Sequence, residues 1–151
     1  SIGLVAGDVQ RLNDQSFEHQ TQASTGATTG SWLVTFRTAS CSECDKAQGE
    51  LATIEEELRE AYIIPAVVDK SDSPGLWKRL RLGDGPETYL FSKGYMSRYV
   101  GSVHSSKLLK FALEALDGAD SMRVRVPPEP TALSQMLDTM KGMLGLGGGE
   151  L

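Results

Sequence analysis

Only two cysteines and two histidines occur in this chain of 151 residues, and that scarcity sets aside two classes of protein. Two cysteines cannot build a disulfide framework, so cysteine number alone does not fix a redox compartment. A tetrahedral zinc site needs four ligands, and without a second cysteine pair only His19, His104 and acids are left to complete one. No apolar run approaches the roughly 20 residues that span a bilayer. A basic surplus is lacking as well: the net charge of −5 argues against nucleic-acid binding, which calls for a basic stripe. The opening SIGLVAG has neither the basic start nor the apolar stretch of a signal peptide, which excludes no compartment, since a mature chain or a fragment reads the same way. No glycosylation sequon is present, and the closing GGEL is not a retention signal.

What is present reads as alternating strands and helices. VQRLNDQSF (Val9 to Phe17) suggests a short strand and then a helix start, with Asn13, Asp14 or Ser16 as caps. Gln20 to Ser31 is polar, rich in Thr and Gly, and is expected to be a surface loop. WLVTF (Trp32 to Phe36) and YIIPAVVD (Tyr62 to Asp69) have the composition of buried strands. Between them Ala47, Leu51, Ile54 and Leu58 recur at helical spacing, with Glu55, Glu56, Glu57, Arg59 and Glu60 on the wet side. Ser73 followed by Pro74 predicts a capped helix start, and ETYLF and YMSRYV flank the turn SKG as an antiparallel hairpin. SSKLLKFALEAL (Ser105 to Leu116) is an amphipathic helix. This order predicts an α/β fold, a mixed sheet with helices on both faces. Trp32 and Trp77 are read as core and partly buried surface rather than ligand platforms.

After Gly118 the character changes. MRVRVPPEP is expected to be a linker or an edge segment. TALSQMLDTMKGML then carries Leu133, Met136, Leu137, Met140 and Leu144 on one stripe, before the glycine-rich end. A lone helix of about 14 residues is marginal in water, so its apolar stripe calls for a surface, either this domain or a protein partner. The organisation expected is a domain over residues 8–117 and an appended segment over 118–151, a proline-rich linker with an amphipathic helix and flexible tail.

The chemistry-bearing stretch is TASCSECDKAQGELATIEEEL, which places Cys41 and Cys44 three positions apart at a helix start. Backbone N–H groups and the helix dipole favour a thiolate there, and the thiolate is the form that attacks disulfides. One helical turn brings Cys44 beneath Cys41, so the pair can close into a disulfide. Two blander readings stay open: reduced cysteines in a structural helix, and half of a metal site.

From about Asp8 to Leu116 the sequence resembles a thioredoxin-fold domain, closest in style to the protein disulfide isomerase group. The resemblance rests on VQRLNDQSF, on LVTF running into CSEC, on VVD closing the next strand, on GPETYLF, and on KG followed by YVG ahead of the last helix. It implies Cys41 as the attacking nucleophile and Cys44 as the buried resolving thiol. It also implies a cis peptide bond at Pro86 facing the pair, and a substrate-facing rim of Ser40, Ser42, Glu43, Gly85 and Pro86. No cofactor and no metal would be required for exchange.

Departures from the family pattern are equally specific. The buried acid expected in the strand before the motif is Thr35, the aromatic residue before the first cysteine is Ser40, and the proline that kinks the motif helix is Gly49. The arginine expected after YxG is Val103, beside His104, and the usual Thr after the strand-entering proline is Glu87. Glu43 between the cysteines would raise the pKa of Cys41 by charge repulsion relative to a histidine there, giving a weaker oxidant. The function implied is a thiol–disulfide oxidoreductase acting on protein substrates. The alternative is a binding module that keeps the fold and the pair but holds clients or a complex partner. The compartment implied is the secretory pathway, the endoplasmic reticulum lumen, with a cytosolic or organellar site as the alternative.

Overall fold

The computed structural model of the chain describes residues 9–26, 30–130 and 140. The stripe-bearing segment 131–144 lies outside the described residues except for Met140, as does the end of the chain. The strands are β1 (Gln10–Leu12), β2 (Ser31–Arg37), β3 (Ile63–Asp69), β4 (Glu87–Ser92), β5 (Tyr95–Arg98) and β6 (Val124–Arg125). The helices are α1 (Phe17–Thr21), α2 (Ser42–Thr53), α3 (Glu55–Glu60), α4 (Pro74–Leu80) and α5 (Ser105–Leu116). The strands form one mixed sheet in the order β1-β3-β2-β4-β5-β6. No helix among the described residues is long and apolar enough to cross a membrane.

β2 is buried from Ser31 to Phe36, as its continuous apolar composition requires of a strand covered on both faces. Alternation along it sends Trp32, Val34 and Phe36 into one cluster with Phe17, Trp77, Tyr89 and Phe91. Leu33 goes to the other face, into a cluster with Leu51, Leu58, Leu90 and Leu108. β2 pairs in parallel with β3, ending on Arg37 opposite Asp69, and antiparallel with β4, with Phe36 opposite Glu87. The carboxyl ends of β2 and β3 and the amino end of β4 therefore meet at one end of the sheet.

Local chemistry explains most element ends. The hairpin closes through Lys93 and Gly94, both at positive φ (56° and 86°), as a two-residue turn matched to strand twist demands. The cysteine helix does not run unbroken to Leu58 as its periodicity predicts, because it ends at Thr53 and α3 starts at Glu55. Thr53 turns its hydroxyl back onto the Gly49 carbonyl at 2.9 Å, a bond that competes with the backbone ladder and bends helices. Ser73 occupies the N-cap position of α4, but its hydroxyl bonds Asp72. The helix is capped from a distance by Asp14, which accepts from the N–H groups of Gly75 (2.8 Å) and Leu76 (2.9 Å). Glu50 of α2 does the same for α5, accepting from the Ser105 N–H at 2.6 Å.

The described part of this segment, residues 20–26 and 30–31, is less loop-like than its composition predicts. Gln20 and Thr21 complete α1, and Thr21 and Ala23 are buried. The polar groups there are satisfied locally, since the Thr21 hydroxyl takes the Ala23 N–H and Glu18 takes both the N–H and the hydroxyl of Ser24. The segment after Gly118 supplies β6 to the sheet edge beside β5. Val126 is then buried with its N–H on the Gly94 carbonyl (2.9 Å), and Arg79 Nε donates to the Pro127 carbonyl at 3.0 Å.

Candidate functional site

The site is built where β2 hands over to α2. Residues 38–41 leave the sheet end, and Ser40 takes a positive φ of 52° as the chain turns into the helix. Cys41 is the N-cap residue of α2, in extended conformation, and its Sγ accepts the Cys44 N–H at 3.0 Å. A side-chain acceptor at this position satisfies one of the free N–H groups of the first turn. The same donor would stabilise a thiolate on Cys41 once the pair is reduced. Cys41 and Cys44 are joined in a disulfide, their Cα atoms 5.1 Å apart. Cys41 is half-buried, whereas Cys44 is fully enclosed.

Ser42 and Glu43 are exposed on the first turn, and Ser40 is exposed just before it. Gly85 and Pro86 lie at the same end of the sheet, because the strand that follows them pairs Glu87 with Phe36. The peptide bond preceding Pro86 is trans, which corrects the expectation of a cis bond there. The reversal into β4 is made instead by Gly85 at φ 80°, a conformation that glycine adopts without strain, so the chain keeps the favoured trans isomer. A cavity of about 300 Å³ opens beside Pro86, lined also by Glu87, Thr88, Arg98, Tyr99 and Val103.

Glu87 fixes the approach to this strand. Its carboxylate accepts from the Gly83 N–H at 2.6 Å and from the Tyr89 hydroxyl at 2.8 Å. Burial first, then the Glu87 carboxylate, pushes the Tyr89 hydroxyl up to about 12, which keeps it a donor. One row into the sheet, Thr35 and Thr88 share a 2.8 Å hydrogen bond, both of them buried. That threonine pair occupies the place where the resemblance leads one to expect a carboxylate, so no proton-accepting side chain comes from that position. His104 precedes α5 as its N-cap residue and makes no side-chain cap bond.

Reading the sequence alone misses a row of charges at the strand ends. Arg37 reaches Asp45 of α2 at 2.7 Å, Gln48 at 2.8 Å and Asp69 of β3 at 3.4 Å, and Asp69 also pairs with Arg11. The signal available was an arginine at the end of an otherwise apolar strand, four residues before Cys41. Among the described residues no group of three or more His, Cys, Asp or Glu side chains is placed to hold a metal ion.

A mixed sheet with a cysteine pair opening the helix that follows its central strand defines a thioredoxin-fold domain. The chain carries such a domain. It is 37% identical over 123 residues to a thioredoxin domain-containing protein of Theileria parva, a match that covers 81% of this chain and 54% of that protein. The chain thus spans about half the length of this curated relative. Among solved structures, the J-Trx1 fragment of ERdj5 superposes with a TM-score of 0.61 at 20% identity, covering 72% of this chain and 50% of that one. Human ERp44 in its zinc-bound form gives a TM-score of 0.60 at 18% identity over 71% of this chain and 32% of its own. Chloroplastic thioredoxin z gives 0.59 at 16% identity, covering 73% of this chain and 95% of that chain. No family model matches the chain.

Proposed function

We propose that the domain is a thiol–disulfide oxidoreductase of the disulfide isomerase kind, acting on protein substrates through Cys41 and Cys44. The observation that carries this reading is the asymmetry of the pair. Cys41 is half-buried and holds a backbone N–H on its sulfur, while the bonded Cys44 is enclosed. In the reductive direction the Cys41 thiolate attacks one sulfur of a client disulfide. The client S–S bond breaks, its second sulfur leaves as a thiolate and takes up a proton, and a mixed disulfide joins Cys41 to the client. Cys44 then loses its proton and attacks Cys41, releasing the client's other sulfur as a thiol. The client disulfide is reduced to two thiols as the Cys41–Cys44 dithiol is oxidised, and the reverse sequence oxidises a client. Ser40, Ser42, Glu43, Gly85 and Pro86 would form the rim that meets the client.

The resemblance to disulfide isomerases supports the secretory pathway as the working compartment, and the chloroplastic structural neighbour represents the organellar alternative. The Thr35–Thr88 pair favours a second reading. With no carboxylate there to take the Cys44 proton, resolution is slow and the domain acts mainly by holding clients. An insulin-reduction assay separates the two. Steady turnover abolished by Cys41→Ser supports the oxidoreductase, whereas folded protein that binds reduced clients without turnover sinks it in favour of the binding module.

A further inference from the structure

Arg37 ends β2 on the face that carries α2, and its side chain is only 15% exposed. It reaches acceptors on α2 and β3 at once: Asp45 in the first turn, Gln48 one turn on, and Asp69 opposite it in the sheet. Asp45 directly follows Cys44, and its N–H is bonded to the Cys41 carbonyl at 3.1 Å. The guanidinium is therefore tied to the cysteine pair through a single helical turn. With Arg11 on the far side of Asp69, the row holds two cations and two anions.

We infer that Arg37 is a positioning residue for the cysteine couple: by holding Asp45 and lending its charge to the first turn of α2, it sets how readily the Cys41–Cys44 disulfide is reduced. The inference rests on the redox reading above and names a regulator of that same site. Without Arg37, Asp69 would keep Arg11 while Asp45 would lose its guanidinium partner, and Glu43 would add its charge on the same turn. Lys46, exposed on α2, would be the remaining cation of that turn. Glu87 at the start of β4 is bound to the Gly83 N–H and the Tyr89 hydroxyl, and His104 lies before α5. Loss of the guanidinium and release of Asp45 act in one direction: both disfavour a thiolate on Cys41 and so favour the disulfide. Partial exposure keeps the effect moderate through screening.

The test is the equilibrium in which the disulfide and two molecules of glutathione give the dithiol and glutathione disulfide. For R37Q, which keeps hydrogen bonding but removes the charge, the constant should fall about three- to tenfold, tenfold corresponding to about 30 mV. R37K should stay within about twofold of the parent, and R37Q/D45N should return to within about twofold, because the unmatched acid is gone. D45N alone should shift the constant the opposite way from R37Q. Asp45 is 71% exposed, so this variant decides the matter even if R37Q does not fold. A folded R37Q with an unchanged constant, or a D45N shift of the same sign, overturns the inference and leaves the oxidoreductase reading standing. A parent pair that never exchanges with glutathione overturns both.

Discussion

The buried aromatic rings gather among aliphatic side chains on the face of the sheet that carries α1 and α4, whereas the buried core on the face that carries α2, α3 and α5 is aliphatic. On the first, Phe17 meets Phe91 edge-on at 5.3 Å, and Phe36 meets Trp77 at 5.7 Å and Tyr89 at 6.0 Å. On the second, Leu33, Leu51, Leu58, Ile63, Leu90 and Leu108 pack together. The ring face is covered by helices of five and seven residues, far too short to persist alone, while the aliphatic face has two helices of twelve. The short helices are held by polar ties between distant residues. Asp14 caps α4, and Glu18 of α1 pairs with Arg79 of α4 at 2.6 Å, both side chains more than nine-tenths buried. The cysteine pair thus opens a helix anchored by repetitive aliphatic contacts, and the opposite face depends on a few specific bonds.

That contrast can be broken most forcefully at Phe36, which is fully buried among four other aromatic rings. Phe36→Ala should cost about 3–5 kcal/mol in denaturant unfolding, more than Leu51→Ala on the aliphatic face at about 2–4 kcal/mol. The reverse order would show that the ring face is not the more tightly packed one. Next in size is Arg79→Leu, which leaves Glu18 buried and unpaired and should cost about 3 kcal/mol. Adding Glu18→Leu should recover much of that loss, and failure to recover it would mean that packing, not charge pairing, is what Arg79 supplies.

The same pair gives the ring face a pH dependence. Burial acts to raise the Glu18 carboxyl, but the bond from Arg79, the two bonds from Ser24 and the Arg79 charge outweigh it, so Glu18 lies below its ordinary value of 4.5. A depressed folded value means the contribution is complete above the unfolded value and is lost as pH falls through the folded one. The stability advantage over Glu18→Gln should therefore be constant near neutrality and shrink below about pH 4.5. An advantage that persisted at still lower pH would contradict the pairing. Smallest is the remote cap: Asp14→Ala should cost about 1 kcal/mol, and Ser73→Ala less than half of that, since the Ser73 hydroxyl bonds Asp72 rather than the helix. Equal losses would return the capping role to Ser73.

This difference between faces also explains what was legible in the sequence. β2, the start of α2, the hairpin and α5 are written in local signals: a continuous apolar run, 3.6-residue spacing, a Lys-Gly turn. The placement of Cys41 at a helix N-cap follows from those signals alone. The cap on α4 was misassigned to Ser73 because Asp14 lies about 60 residues away in sequence, a separation that no local pattern encodes. The helix break at Ile54 was hidden because Ile54 and Leu58 keep the apolar period across it. The trans bond at Pro86 was missed because the expectation came from resemblance, whereas Gly85 at positive φ makes the turn unaided. Arg37 was passed over because a strand-end arginine reads as solvated until Asp45, Gln48 and Asp69 are brought around it.

The most direct test of the central claim, that Cys41 attacks and Cys44 resolves, is trapping on a disulfide-bearing client followed by mass analysis. With Cys44→Ser the account predicts a stable mixed disulfide between Cys41 and the client that reductant releases, and with Cys41→Ser no such adduct. Adducts through Cys44 in the Cys41→Ser protein, or none in either folded variant, would contradict it.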